Sequence, residues 1–433
     1  MNIFHCSPAE RVGGDIRVPG DKSISHRSII LSSIARGESH ISGFLLGEDS
    51  LNTMRAFQQM GVDIERDGDR VRVAGVGLHG LEPAQSDLDM GNSGTAMRLL
   101  LGLLAGQRFE SRLVGDASLS SRPMLRVIEP LRAMGARIDS ASGGRAPLQV
   151  YPAEGLKGIS YDMPVASAQV KSCLLLAGLY AEGETVVREP APTRDHSERM
   201  LRAFGAEVAS EGGEIRIQSG QQLDACDVEV PADISSAAFF MVAASIGAGS
   251  DITLRHVGVN PTRTGVIDIL RLMGARIDLL NQRDVGGEPV ADIRVQSAAL
   301  TGIDIPVELV PLAIDEFPVL FVAAACAEGR TRLRGAEELR VKESDRIQVM
   351  ADGLAELGIK TTVLADGIDI DGGEIGEGRV DAHGDHRTAM AFSVASLRAR
   401  GEIRIEGCDN VRTSFPGFVE LANGAGLEIR VDG

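Results

Sequence analysis

Six times along this chain a small polar cluster opens a long apolar run that closes at a glycine. The runs extend from Lys22 to Gly37, Gly91 to Gly106, Ala166 to Gly183, Asp233 to Gly247, Asp315 to Gly329 and Asp385 to Gly401. Residues able to cap free backbone N–H groups stand at the starts, and glycine suits a helix stop, so each run predicts a helix. Apolar residues occupy nearly the whole circumference, which predicts helices buried on all sides. A buried helix normally hides its ends, yet these starts hold the chain's most chemically loaded residues. The six starts are therefore the candidate functional region.

A second pattern recurs with the first. Amphipathic segments end in a hydrophobe–Gly pair followed by a strand-like run, as in Leu131 to Asp139, Leu201 to Ala209 and Leu270 to Asp278. The glycines are Gly61, Gly135, Gly205, Gly274, Gly358 and Gly426. Their spacing of roughly seventy residues exceeds that of solenoid repeats and fits a small unit of two helices and several strands. Alternating segments such as Asp69–Val73, Glu214–Ile217 and Ala291–Val295 supply the strands. The expected fold class is α/β, built from six repeated βαβαββ-type units. Six units exceed one core, so two lobes of three are expected, divided between Val228 and Asp233 where Pro231 interrupts.

Duplication of a stable unit alone would explain six capped helices without any ligand, but it favours similar caps. The six polar sets differ, which argues for a shared ligand site. Unit four, starting at Asp233, offers no obvious ligand group, and a hinge role is expected for it.

Composition narrows the partners. The 433 residues are 43% hydrophobic and 24% charged, as in soluble globular proteins, with only 3% aromatic residues and no Trp. The net charge of −17 weighs against nucleic acid or an anionic membrane surface as partner. A local cluster of Arg and Lys can still hold small anions. Five dispersed cysteines with no CxxC suggest neither a disulfide framework nor a metal site, and a reducing, cytoplasmic location is expected. The start lacks a signal-peptide pattern, and apolar stretches such as Ala237 to Ala244 fall far short of the ~20 residues of a membrane span.

Helix N-termini present free N–H groups and partial positive charge, so several converging on one site would bind anions. Lys22 and Arg27 in unit one and Arg387 in unit six reinforce this. The GNSGT segment from Gly91 to Thr95 resembles a backbone nest, where Gly94 permits close approach. Arg122, Arg194, Arg263, Lys342 and Arg346 lie in loops between elements. Singly, each is more often a solvated surface charge, and only their corresponding placement suggests more. His383 and His386 lack the further ligands a metal needs, and His26 reads as a helix-start residue.

Seven segments in order carry a family resemblance: Val18 to Arg27, Gly91 to Arg98, Arg122 to Met124, Ser167 to Lys171, Pro311 to Pro318, Leu339 to Arg346 and Gly384 to Met390. Together they resemble the 3-phosphoshikimate 1-carboxyvinyltransferase (EPSP synthase) family over essentially the whole chain. Arg194 to Glu198 and Asn260 to Arg263 are similar to its class II branch. The resemblance implies a two-domain inside-out α/β barrel with ligands in the interdomain cleft. The lobes expected are 21–232, and 233–433 together with 1–20. It implies transfer of the enolpyruvyl group of phosphoenolpyruvate to the 5-hydroxyl of shikimate 3-phosphate by addition and elimination. No metal or organic cofactor is implied, and the family is commonly monomeric.

By motif match, Lys22, Ser23, Arg27, Ser167, Ala168, Gln169, Arg194, Asp315 and Lys342 are expected to hold shikimate 3-phosphate. Lys22, Gly94, Arg122, Gln169, Arg346 and Arg387 are expected to hold phosphoenolpyruvate. Both substrates are polyanions, which suits Arg forks and Lys point charges. Asp315 is implied as the base on the hydroxyl, with Glu343 and Lys22 as candidates for protonating the methylene carbon. A carboxylate amid cations stays ionised, which suits a base better than an acid, so Glu343 and Lys22 both stand for the second role.

Two departures from the family pattern stand out. Thr413 occupies the position of a late lysine, and Arg412 lies one residue earlier. Gly94 stands where glyphosate-tolerant class II members have Ala, so this chain is expected to be a glyphosate target of at least partial sensitivity. The alternative readings are a UDP-N-acetylglucosamine enolpyruvyl transferase, a non-catalytic sugar-phosphate binder and, remotely, an RNA 3′-phosphate cyclase. The first usually has a Cys or Asp in a loop near Arg122; Gly115 to Pro123 has Asp116 but no Cys and continues as the SLSSRP expected of the resembled family. Lys22, Asp315 and Glu343 together exceed the needs of the second.

Overall fold

Backbone N–H groups at a helix start need acceptors, and five of the six predicted starts supply one from a side chain. In the computed structural model, which describes residues 2–432, Asp21 accepts from Ile24 N at 2.8 Å and Ser93 from Ala96 N at 3.1 Å. Ser167 accepts from Val170 N at 3.4 Å, Asp233 from Ser235 N at 2.8 Å and Asp385 from Arg387 N at 2.9 Å. The helices so opened are Lys22–Ile34, Gly94–Ala105, Ala168–Gly178, Ile234–Ile246 and His386–Ala395. The fifth in chain order, Phe317–Ala325, has Glu316 at its N-cap without a side-chain cap bond, and Pro318 removes one N–H that would need an acceptor. All 13 residues of Ile234–Ile246 are buried, as the absence of a polar stripe requires.

The closing glycines do not stop the helices in the expected way. Gly106 and Gly247 are C-caps, but at φ −90° and −75° neither uses the left-handed conformation. Gly37, Gly183 and Gly329 lie beyond the helix ends at φ 103°, 87° and 90°. They turn the chain into the strands Arg36–Ser42, Glu184–Arg188 and Arg330–Leu333. The helix ends themselves close by short backbone turns, such as Ala327 N to Ala324 O at 3.2 Å.

The second set of glycines stands just past helices, where the amphipathic segments were expected to end. Gly61, Gly135, Gly205, Gly274, Gly358 and Gly426 all have φ between 83° and 114°. They follow the helices Glu48–Gln59, Leu125–Ala133, His196–Ala203, Gly265–Leu272, Arg346–Glu356 and Phe418–Ala425. A side chain there would be strained, which explains why the hydrophobe–Gly pair recurs.

The chain divides into two compact units. An N-terminal unit comprises Gly20–Val230 with Val285–Glu288; the other holds residues up to Pro19, Pro231–Asp284 and Pro289 onward. Each has its own hydrophobic core, one running from Ile24 to Val230 and the other from Phe4 to Ile429. In each unit three buried helices pack on one another and three sheets lie around them, an inside-out α/β arrangement. Close approach is visible at Gly102, where an added Cβ would lie 2.1 Å from Cys173 O on the neighbouring helix.

Five sheets have four strands and one has three. The strand after each of the first five buried helices pairs in parallel with a short strand or bridge segment and antiparallel with a later strand of its sheet. In the sixth unit the antiparallel partner comes from the far end of the chain. Ile3–Ser7 lies between Ile403–Glu406 and Glu428–Asp432, with Phe4 opposite both Ile405 and Val431. Gly13–Ile16 pairs in parallel with Asp251–Gly258. Among the described residues no helix is long and apolar enough to cross a membrane.

Candidate active site

In the N-terminal unit the starts of the three buried helices are tied together by side chains. His26, on the first helix, meets Thr53 Oγ1 through Nδ1 at 2.7 Å and the capping Ser93 of the second through Nε2 at 3.4 Å. Arg98 Nη1 donates to Gly94 O at 3.3 Å and to Gln169 Oε1 at 2.7 Å, joining the second start to the third. Gln169 Nε2 returns a bond to Thr95 Oγ1 at 2.9 Å. The three capped N-termini thus share one polar network.

Arg27 lies within this network. Its Nε donates to Ser197 Oγ at 2.7 Å, Nη1 to Ser23 O at 2.9 Å and Nη2 to Ser172 Oγ at 2.7 Å. Burial opposes its charge and Glu198 supports it, leaving the guanidinium pKa lowered to about 10 and the group charged at neutral pH. Ser172 Oγ in turn donates to Ala168 O at 2.6 Å. Lys22 Nζ meets Asp49 Oδ2 at 3.0 Å, which holds the ammonium over the first helix start. Burial, then the charges of Lys22 and Arg27, push the His26 pKa down to about 3, so its imidazole is neutral.

Gly94 and Arg122 meet beside the second start. Arg122 Nη2 donates to Asn92 Oδ1 at 2.8 Å and to Ser118 Oγ at 3.1 Å. A Cβ on Gly94 would lie 2.8 Å from Arg98 Nη1 and 3.4 Å from Arg122 Nη1. Glycine therefore leaves two guanidinium groups undisturbed around the nest. Arg194 is half-buried in the loop before the helix His196–Ala203.

In the C-terminal unit the organising group is Arg346, 1% exposed. Its Nε donates to Asp385 Oδ2 at 2.8 Å, Nη2 to Glu343 Oε2 at 2.6 Å and Nη1 to Asp315 Oδ1 at 3.3 Å. Burial works against the Asp385 charge, but Arg346, assisted by His386, outweighs it and holds that carboxyl below the usual range. Lys342 Nζ lies 3.7 Å from Asp315 Oδ1 and 2.7 Å from Glu338 Oε1. Arg387 Nη1 donates to the backbone oxygen of Asp315 at 3.1 Å. Asp315, Lys342, Glu343, Arg346 and Arg387 thus form one cluster at the fifth and sixth helix starts. Arg412 is exposed on the short helix Val411–Ser414 and makes no hydrogen bond or ion pair with that cluster among the described residues.

Several members of these networks escaped the sequence reading. Asp49, Arg98 and Asp385 bind candidate residues but were given no role. Arg98 could have been found from its i, i+4 spacing to Gly94 on a helix. Lys171 is 1% exposed and bridges Glu198 Oε1 at 2.6 Å and Glu189 Oε1 at 3.1 Å, a pairing no local spacing reveals. A cavity of about 990 Å³ in the N-terminal unit, lined by Arg36, His79, Lys157, Tyr180, Glu182 and Gln221 among others, contains none of the candidate residues. No three His, Cys, Asp or Glu side chains among the described residues are grouped to hold a metal ion.

Comparison with known proteins agrees with the motifs. The family model of EPSP synthase (3-phosphoshikimate 1-carboxyvinyltransferase) matches residues 6–421. The 3-phosphoshikimate 1-carboxyvinyltransferase of Methylococcus capsulatus is 64% identical over 430 residues, 99% of this chain and 98% of the relative. That of Alkalilimnicola ehrlichii is 64% identical over 428 residues, 98% and 96% of the two chains. The solved EPSP synthase of Acinetobacter baumannii superposes with TM-score 0.91 at 56% identity, covering 100% of both chains. The enolpyruvyl transferase NikO of Streptomyces tendae, at 18% identity and TM-score 0.79, covers 100% of this chain and 99% of its own, and shares the fold.

Proposed function

The chain belongs to the EPSP synthase family, and on that premise we infer its reaction and propose which residues carry it. It transfers the enolpyruvyl group of phosphoenolpyruvate to the 5-hydroxyl of shikimate 3-phosphate, releasing phosphate. The substrates are the two small polyanions, whose charge suits the cations of each cluster. Lys22, Ser23, Arg27, Ser167, Ala168, Gln169, Arg194, Asp315 and Lys342 hold shikimate 3-phosphate. Lys22, Gly94, Arg122, Gln169, Arg346 and Arg387 hold phosphoenolpyruvate.

In the addition step Asp315 takes the hydroxyl proton while that oxygen attacks C2 of phosphoenolpyruvate. The methylene carbon gains a proton from Lys22 or Glu343, giving a tetrahedral intermediate. Elimination removes a proton from that methyl group and expels phosphate, restoring the double bond. Cations preset around the phosphate oppose the charge that gathers on the leaving oxygens. The observation that best supports this reading is the Arg346 fork, which gathers Asp315, Glu343 and Asp385 around one guanidinium. Glu343, ion-paired at 2.6 Å, is the weaker proton donor of the two, which favours Lys22.

The enzyme is read as cytoplasmic, which its five free cysteines support, and as a monomer, which rests on the family resemblance alone. Phosphate release from phosphoenolpyruvate tests the reaction, with shikimate 3-phosphate and UDP-N-acetylglucosamine offered in turn. Turnover is expected only with the first, and turnover with the sugar nucleotide would overturn the reading.

A further inference from the structure

The fourth helix start, at Asp233, carries none of the residues assigned to substrate. Its polar groups are met from within the chain. Asn260 Oδ1 accepts from Thr262 N at 2.9 Å and Thr262 Oγ1 at 2.8 Å, and Arg263 N donates to Asn260 O at 2.8 Å. This turn leads into Arg263, whose side chain is buried. Its Nη2 donates to Ser235 Oγ at 2.7 Å and to Asp233 Oδ1 at 3.3 Å, and lies 3.9 Å from Glu316 Oε1. Ser235 Oγ donates to the same Glu316 oxygen.

Packing alone does not call for this arrangement. A cation near a helix N-terminus opposes the helix dipole, and a buried ion group is often no more stable than apolar residues of the same volume. Glu316, only 2% exposed, stands at the N-cap of Phe317–Ala325 but turns its carboxylate to Ser235 and Arg263 instead of capping. Its neighbour in sequence is Asp315. Arg387 holds the Asp315 backbone oxygen and Arg346 its carboxylate, while the next residue is anchored to Ser235 and Arg263. The peptide between 315 and 316 is therefore fixed from both ends.

We propose that Arg263, Ser235 and Glu316 form a positioning network that sets the orientation of Asp315. The proposal rests on the reading of Asp315 as the base. These three residues act through Asp315 and not on substrate. The Asp233 start, expected as a hinge, serves here as the wall against which the fifth helix start is registered.

The test is steady-state kinetics of Glu316→Gln, Asp315→Asn and the double variant, with thermal unfolding recorded for each. Glu316→Gln keeps the shape and removes the charge. It should lower kcat by about 10- to 100-fold, as a small misplacement of a reacting group does, and leave both KM values within about twofold. The double variant should be no slower than Asp315→Asn alone, because the network has no other route to the chemistry. Unchanged kcat in Glu316→Gln, or a further full loss in the double variant, would overturn the network. Full activity in Asp315→Asn would instead overturn the base assignment, and the proposal with it. Should Glu316→Gln fail to fold, Ser235→Ala removes one hydrogen bond and should lower kcat by about fivefold at unchanged KM; unchanged kcat there would equally overturn the network.

Discussion

Arg346 Nε donates to Asp385 Oδ2 at 2.8 Å, and that bond aims the rest of the guanidinium at Glu343 and Asp315. A lysine ammonium is a compact point charge and cannot reproduce the planar fork that presents separate N–H groups to the three carboxylates. Arg346→Lys should therefore lower kcat/KM for phosphoenolpyruvate by at least about 100-fold and reduce stability by about 3 kcal/mol, since it leaves the buried Asp385 carboxylate short of a partner. Steady-state kinetics and denaturant unfolding check the two effects.

Gly94→Ala probes the nest. The methyl would press on Arg98 Nη1 and approach Arg122 Nη1, so the space beside those groups shrinks. Glyphosate is longer than phosphoenolpyruvate and should be excluded more strongly. The inhibition constant should rise about tenfold or more while KM for phosphoenolpyruvate changes less, a difference of about 1.4 kcal/mol. Equal inhibition constants in wild type and variant would refute this.

His26 makes stability depend on pH. Its folded pKa of about 3 lies below the ordinary 6.5, through burial and then the charges of Lys22 and Arg27. Between these values the unfolded chain binds the extra proton, so stability rises with pH across that window and falls as pH drops below 6.5. The His26 contribution to the slope reaches at most about 1.4 kcal/mol per pH unit. Unfolding measured from pH 4.5 to 7 should show a shallower slope in His26→Asn than in wild type.

Lys171 neutralises two carboxylates that have almost no solvent. Lys171→Met leaves Glu189 and Glu198 together without it, and a loss of about 3–5 kcal/mol is expected in urea unfolding at neutral pH. The Glu198→Gln change added to it should recover part of that loss by removing one of the stranded charges.

Local chemistry made much of the fold legible. Asp21, Ser93, Ser167 and Asp385 cap where the polar clusters predicted helix starts, and Gly61 to Gly426 all stand just past helices, where the amphipathic segments were expected to end. Gly37, Gly183 and Gly329 were misread because a positive φ serves a turn into a strand as well as a helix stop. Residues 1–20 carried no pattern of their own, since Ile3–Ser7 finds its partners near the chain's other end. Among the candidate residues, Lys22, Arg346 and Asp315 stood in recognisable motifs. Asp49, Glu198 and the Arg263–Glu316 pair were not, because a pairing across 27 positions, as between Lys22 and Asp49, or between separate units of the repeat leaves no periodic trace.

The central claim is that the cluster around Lys22 and the cluster around Asp315 serve one reaction. Its most direct test is the rate of phosphate release from phosphoenolpyruvate and shikimate 3-phosphate in wild type, Lys22→Ala and Asp315→Ala. Each variant should fold as wild type by circular dichroism and lose about 100-fold or more in kcat, the range expected for a proton-transfer group. Wild-type turnover in both variants would contradict the account.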